Sequence, residues 1–197
     1  MKNKLVLVTL LAFGAAIAAR AAEDSYKIDP VHSTVGFSVR HMVINSVKGK
    51  FKQFAGTVVM DGETIKEAQG TIQTASVDTG NTQRDNDLRS PNFFDAAKYP
   101  TITFKTKQVE KKGDETILTG DYTMHGVTKE ISLPVKVSGP VKDPFGGTRI
   151  GLEGKTKLNR KDFGMAYNKV LETGGLLVGD EVELEINAEA VKQTAVK

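Results

Sequence analysis

The sequence predicts an all-β fold, an antiparallel barrel or sandwich with one helical excursion. Three observations carry that expectation. Residues 34–41 read Thr-Val-Gly-Phe-Ser-Val-Arg-His, so Val35, Phe37, Val39 and His41 share one strand face and Thr34, Ser38 and Arg40 the other. A period of two marks a half-buried strand. The rhythm returns where Ile131, Leu133, Val135 and Val137 alternate with Ser132, Pro134, Lys136 and Ser138. It returns again where Val182, Leu184, Ile186 and Ala188 alternate with Glu181, Glu183, Glu185 and Asn187. Turn chemistry separates such runs at Asp61-Gly62, Lys112-Gly113-Asp114, His125-Gly126, Phe145-Gly146-Gly147 and Thr173-Gly174-Gly175.

In chain order, these patterns place strands near 26–31, 34–43, 47–60, 69–78, 101–111, 115–123, 128–140, 148–160 and 180–192. The count is about eight, with the last strand standing in for a short early one. Gly49, Gly56, Gly70, Gly120 and Gly154 fall inside strand patterns, as glycines do where a sheet bends or bulges. Residues 81–99 break the rhythm. Asn81 or Thr82 is placed to cap a short helix, with Asp85 and Arg89 spaced to pair on it. Ser90-Pro91 is placed to open a second helix. Closure into a barrel is favoured, because an open sheet of this size leaves unpaired edges.

The first 22 residues read as a leader. Lys2 and Lys4 precede an apolar run, Leu5 to Phe13, broken only by Thr9, and Ala19-Arg20-Ala21 supplies a small-x-small cleavage signal. The run falls short of the ~20 apolar residues that a membrane span needs. The expectation is a signal peptide over 1–22, one domain over 23–197, and a periplasmic protein. The chain has no Cys, so neither a lipobox nor disulfides hold it.

Export also changes the charge. The chain has 27 basic and 24 acidic residues, and the leader takes Lys2, Lys4 and Arg20, which leaves 24 of each sign. A near-neutral domain argues against nucleic acid as a partner. It argues equally against electrostatic attachment to a membrane.

Catalytic and metal motifs are weak. Gly151-Leu-Glu-Gly154-Lys155-Thr156 has two residues between its glycines, where a phosphate-binding loop needs four. Asp162-Phe163-Gly164 stands without the other kinase elements. His32 and His41 are nine apart, which puts them on opposite faces of a regular strand, and His125 sits in a turn. No metal site and no cofactor is expected. His41 reads instead as a core or cavity residue. There is no Cys and no G-x-S-x-G nucleophile elbow, and neighbours Ser33 and His32 point apart.

Several stretches together resemble the YceI-like family of exported bacterial proteins. They are Tyr26-Lys-Ile-Asp29-Pro-Val-His32-Ser33-Thr-Val35-Gly-Phe37-Ser-Val39-Arg-His41 and Val47-Lys-Gly49-Lys-Phe51-Lys-Gln-Phe54-Ala-Gly56. Next come Ser76-Val-Asp78-Thr79-Gly80, then Arg84-Asp85, Leu88-Arg89-Ser90 and Phe93-Phe94-Asp95. Gly120-Asp-Tyr-Thr-Met-His-Gly126-Val-Thr128 and Asn159-Arg160-Lys-Asp162-Phe163-Gly164 complete the set, in order along the mature chain. One departure stands out: the family usually has His where this chain has Asp87, so a role resting on that histidine does not carry over.

The resemblance implies a lipocalin-like, extended, eight-stranded antiparallel barrel with a helical insertion. It also implies a pocket for a long apolar or amphiphilic molecule, with polyisoprenoids and isoprenoid quinones the leading class, and a homodimer. The candidates for the apolar lining are Phe37, Val39, Phe51, Phe54, Phe104, Leu133, Val135 and Phe163, with Phe93 and Phe94 at the entrance. The candidates for holding a polar head are His41, Arg84, Asp85 and Arg89. Two rival readings use the same barrel. One is a lipid-modifying enzyme with His41 and Asp85 as its acid–base pair. The other is a side-chain-filled barrel that binds a protein, such as a membrane cytochrome.

Overall fold

A computed structural model describes residues 23–42, 44–170 and 176–194. The leader and the Thr173-Gly174-Gly175 turn lie outside the described residues. Among the described residues ten strands form: β1 (Asp24–His41), β2 (Asn45–Phe51), β3 (Phe54–Asp61), β4 (Thr64–Gln73), β5 (Val77–Asp78), β6 (Thr101–Lys112), β7 (Glu115–Met124), β8 (Val127–Lys142), β9 (Thr148–Asn159) and β10 (Val178–Lys192). One helix, α1 (Thr82–Arg89), follows β5.

Eight of the strands close an antiparallel ring in the order β1-β10-β9-β8-β7-β6-β4-β3 and back to β1. β2 and β5 extend that ring at one end. The second half of β1 pairs with β2, and its first residues pair with β3. The expected strand over 47–60 is therefore one long strand broken at Lys52-Gln53 into β2 and β3. The expected strand over 69–78 starts earlier and is also broken, by a single 3₁₀ turn at Thr74–Ser76. Backbone bonds from Lys52 to Ser76 (3.0 Å) and from Gln73 to Gln53 (2.9 Å) carry the ladder across both breaks.

The expected strands 26–31 and 34–43 are one strand, β1, with a bulge between Asp29 and Thr34. The Ser33 hydroxyl fills the gap, donating to the Asp29 carbonyl (2.6 Å) and accepting from the Glu189 N–H (3.0 Å). Further register shifts fall in the pairs β3–β4, β6–β7 and β8–β9. Bulges of this kind sharpen the twist that ring closure needs. β7 alternates without a break, burying Thr116, Leu118, Gly120, Tyr122 and Met124. Gly120 sits where β6 crosses so near that a Cβ would come within 2.2 Å of the Lys105 carbonyl oxygen, so no larger residue fits.

Asn81 caps α1, its side-chain oxygen accepting from the Arg84 N–H at 3.0 Å. The expected second helix at Ser90-Pro91 does not form. Ser90 instead ends α1, its hydroxyl donating to the Asp87 carbonyl at 2.6 Å. The chain then folds through turns, with the Phe94 N–H returning to the Leu88 carbonyl (2.9 Å) and the Asp95 N–H to the Ser90 carbonyl (2.9 Å). This replaces a second helical ladder and aims Phe93 and Phe94 inward. The expected Asp85–Arg89 pair does not form either, because nearer partners exist. Asp85 accepts from the Thr79 N–H (2.8 Å) and hydroxyl (2.6 Å), and Arg89 donates to the Ala75 and Val77 carbonyls (both 2.7 Å).

Inside the ring lie two packed clusters. One is aliphatic and includes Val58, Met60, Ile65, Leu118, Leu133, Val135, Ile150 and Leu152. The other is rich in aromatic and sulfur groups and includes Phe37, Phe51, Tyr122, Met124, Phe163 and Met165. No described helix is long and apolar enough to cross a membrane.

Candidate lipid site in the barrel lumen

Inward strand residues wall a lumen that holds two cavities. The larger, about 150 Å³, belongs mainly to the aliphatic half. Ile65, Leu118, Leu133, Val135, Leu152 and Ile186 line it. The smaller, about 70 Å³, lies toward α1. Phe37, Val39, Leu88, Phe93, Phe94, Met124 and Met165 line it. Phe51, Ile102, Tyr122 and Leu184 line both, so they form the partition between the chambers.

Regular alternation explains most of the wall. β8 supplies Ile131, Leu133 and Val135, and β10 supplies Leu184, Ile186 and Ala188. Glycine supplies room. Gly56 and Gly70 face each other across β3 and β4 and both line the larger chamber. A Cβ on Gly70 would touch only the Ala55 carbonyl oxygen, at 3.7 Å, so beyond this position there is open lumen.

The aromatic half has directional packing. Phe37 and Phe51 lie with ring centroids 5.7 Å apart, and Phe51 meets Phe94 edge-on at 5.7 Å. Phe93 meets Tyr167 at 5.1 Å. These are ordinary aromatic pairing distances.

Nine of the ten candidate lining residues line one chamber or the other: Phe37, Val39, Phe93 and Phe94 the smaller, Phe54, Phe104, Leu133 and Val135 the larger, and Phe51 both. Phe163 does not. It is buried behind Tyr122, edge-on at 5.5 Å, on the 3₁₀ turn Arg160–Phe163 where strand alternation no longer applies.

The candidate head-group residues are elsewhere. Arg84 donates to the Thr79 hydroxyl (2.7 Å) and carbonyl (3.0 Å), Asp85 accepts from the same threonine, and Arg89 donates to the carbonyls of Ala75, in the 3₁₀ turn, and Val77, in β5. This network ties α1 to β5, and none of its three members lines a chamber. His41 is half-buried and lines neither chamber.

Two polar side chains in the buried wall escaped sequence reasoning. Arg160 is 3% exposed and lines the smaller chamber. Its Nε donates to the Gly179 carbonyl at 2.9 Å, Nη1 to the Met165 carbonyl, and Nη2 to the Val178 carbonyl (3.4 Å) and Asp180 (3.3 Å). Burial lowers its pKa, and the Asp180 charge opposes that shift. Its position two after Leu158 was the available signal, but a charge on an apolar face reads as a strand end. Tyr122 is 5% exposed, and its hydroxyl donates to the Met124 thioether sulfur at 3.7 Å. Unbroken alternation in β7 marks both Tyr122 and Met124 as inward.

On the outer rim, Asp29, His32 and Glu189 bring possible metal-ligand atoms within 4.8 Å of one another. Arg149 already fills that role, donating from Nη1 to Asp29 (2.8 Å) and Glu189 (3.2 Å) and from Nε to Asp143 (3.0 Å).

Comparison with known proteins agrees with this architecture. Residues 26–190 match the family model described as a YceI-like domain. The chain is 39% identical over 197 residues to Protein YceI of Escherichia coli O6:H1, covering 98% of this chain and 100% of that protein. It is similar to the solved YCEI protein of Campylobacter jejuni, with a TM-score of 0.68 and 33% identity over 79% of this chain and 90% of the other. It shares its fold with a polyisoprenoid binding domain from Saccharophagus degradans, with a TM-score of 0.65 and 18% identity over 85% and 98% of the two chains.

Proposed function

Because the chain belongs to the YceI-like family, we propose that it is an exported periplasmic protein that binds a long-chain amphiphile in its barrel lumen, a polyisoprenoid or isoprenoid quinone. The observation that carries this reading is the chambered lumen, whose exposed surface is almost wholly apolar although Thr57, Gln69, Thr71, Thr103, Thr156 and Arg160 are among its lining residues. A fold neighbour described as polyisoprenoid-binding supports the choice of tail.

The energetics suit a carrier. Burying one five-carbon unit yields roughly 3–4 kcal/mol gross. Such a tail does not cross water unescorted. The larger chamber, about 150 Å³, matches the size of engineered cavities that take up benzene. One isoprene unit therefore fits as the lumen stands, and a longer tail needs side chains around the larger chamber to move apart. Binding, rather than catalysis, also suits the polar groups. Asp85 is held by Thr79, and neither it nor His41 faces the lumen, which leaves the enzyme reading without an acid–base pair there.

The test is native mass spectrometry of protein taken from its own periplasm, followed by solvent extraction. A stoichiometric isoprenoid lipid is expected, on a chain lacking residues 1–22. Phe37→Ala combined with Phe104→Ala is expected to weaken uptake more than Arg84→Ala. A lipid-free protein that also fails to take up added quinone would sink the proposal and favour a protein-binding barrel.

A further inference from the structure

We propose that the Tyr122 hydroxyl anchors the head of the bound amphiphile, selecting a neutral oxygen acceptor (a carbonyl, ether or hydroxyl) over a phosphorylated head. This rests on the reading of the lumen as a lipid site.

The argument starts from donors. Among the described residues, the only buried polar side chains in the chamber walls are Tyr122 and Arg160. Arg160 is committed to three backbone carbonyls and to Asp180, so both its charge and its geometry are already answered. Tyr122 is the opposite case. A buried phenol normally finds a strong oxygen acceptor. Here the hydroxyl has a thioether sulfur, at 3.7 Å, which is a weak acceptor. Rotation about the phenol C–O bond re-aims the proton without moving the ring. The ring itself is fixed from behind by Phe163, edge-on at 5.5 Å.

Position adds to chemistry. Tyr122 belongs to the partition, so an oxygen bonded there has the aliphatic chamber on one side for the tail and the aromatic chamber on the other for a ring or short head. Burial pushes the phenol pKa well above its ordinary value, so the group remains a neutral donor at physiological pH. A phosphate or diphosphate in this wall would be a buried charge facing no uncommitted cation, which is costly.

Three probes with the same two-isoprene tail test this: a benzoquinone, the plain hydrocarbon and the diphosphate. Binding of each is measured by calorimetry with the mature chain and with Tyr122→Phe. The quinone is expected to bind the native chain most tightly and the diphosphate least. Tyr122→Phe should weaken the quinone roughly 3- to 10-fold, the worth of one hydrogen bond, and leave the hydrocarbon unchanged. Infrared spectra give a second readout, in which the bound quinone's carbonyl stretch lies lower in the native chain than in Tyr122→Phe. Equal weakening of quinone and hydrocarbon, no change in either, or a diphosphate that binds as tightly as the quinone would each overturn the anchor while leaving a lipid-binding lumen. Failure of all three probes to bind the native chain would bring down the lipid reading itself, and the anchor with it.

Discussion

The two chambers of this lumen are built from different parts of the chain. The larger chamber takes its wall from regular strands, with Leu118 on β7, Leu133 and Val135 on β8, Leu152 on β9 and Ile186 on β10. The smaller chamber also takes Leu88 from α1, Phe93 and Phe94 from the turns after it, and Arg160 and Met165 from the segment after β9. Aliphatic walls attract a tail in proportion to area and say nothing about its orientation. Aromatic edges and a phenol act in fixed directions. On the proposed reading, the aliphatic wall supplies affinity for a tail, and selectivity comes from the directional groups: the aromatic edges of the irregular segments and the Tyr122 phenol on regular β7.

Breaking the partition should have the largest effect. The Phe51 ring is 4% exposed and packs between Phe37 and Phe94. Phe51→Ala is expected to cost roughly 3–5 kcal/mol in urea unfolding. It should also merge the chambers and relax the choice of head. A loss below about 1 kcal/mol would mean that the partition is not a packed wall.

Arg160→Met comes next. It keeps the length of the side chain but leaves the Met165 and Gly179 carbonyls without their donor. Asp180 keeps Lys161 at 2.8 Å, which limits the damage. A cost of about 3 kcal/mol is expected from the same measurement. Hydrocarbon uptake should survive, because the aliphatic chamber does not depend on this residue.

The same contrast governs what could be read in the sequence. Alternation in β1, β7, β8 and β10 is a local property, so Phe37, Leu133 and Val135 were legible as inward, and ring closure followed from the edge problem. The bent strands were not, because the break at Lys52-Gln53 depends on bonds to Ser76 and Gln73, twenty or more residues away in the chain. Arg84, Asp85 and Arg89 looked like a head-binding group because charges gather there. Their partners turned out to be the backbone and hydroxyl of residues 75–79, which no spacing rule reveals. Phe163 was legible as buried but not as standing behind another ring. Tyr122 was available to the alternation argument. What made it interesting, the poor acceptor beside it, is a fact of packing.

A smaller change should sharpen the comparison from the aliphatic side. Gly70→Leu projects a four-carbon side chain into open lumen, with only the Ala55 carbonyl near its Cβ, at 3.7 Å. Stability should change by less than about 1 kcal/mol. Tail affinity should fall on the order of tenfold or more, because the new side chain takes the place of about one isoprene unit. The fall should be the same for hydrocarbon and quinone, unlike that caused by Tyr122→Phe. Unchanged affinity for both would move the tail out of the larger chamber.

The smallest effect concerns acid stability at the rim of the aliphatic end. Hydrogen bonds from Arg149 and then His32 hold the Asp29 carboxyl well below the usual carboxylate range. Asp143 is also lowered, first by the Gly147 N–H and then by Arg149. A carboxylate with a depressed folded-state pKa stabilises the fold above its unfolded pKa, near 4, and that stability is lost as pH falls through the folded value. Native stability should therefore decline between about pH 4 and pH 2. Arg149→Met removes the leading cause at Asp29 and the second cause at Asp143. The variant should be less stable at pH 7 and should lose less on going from pH 4 to pH 2, as read from urea midpoints at each pH. Asp143 keeps its backbone donors, so some acid dependence should persist. An acid limb as steep as that of the native chain would show that Arg149 does not set the Asp29 titration.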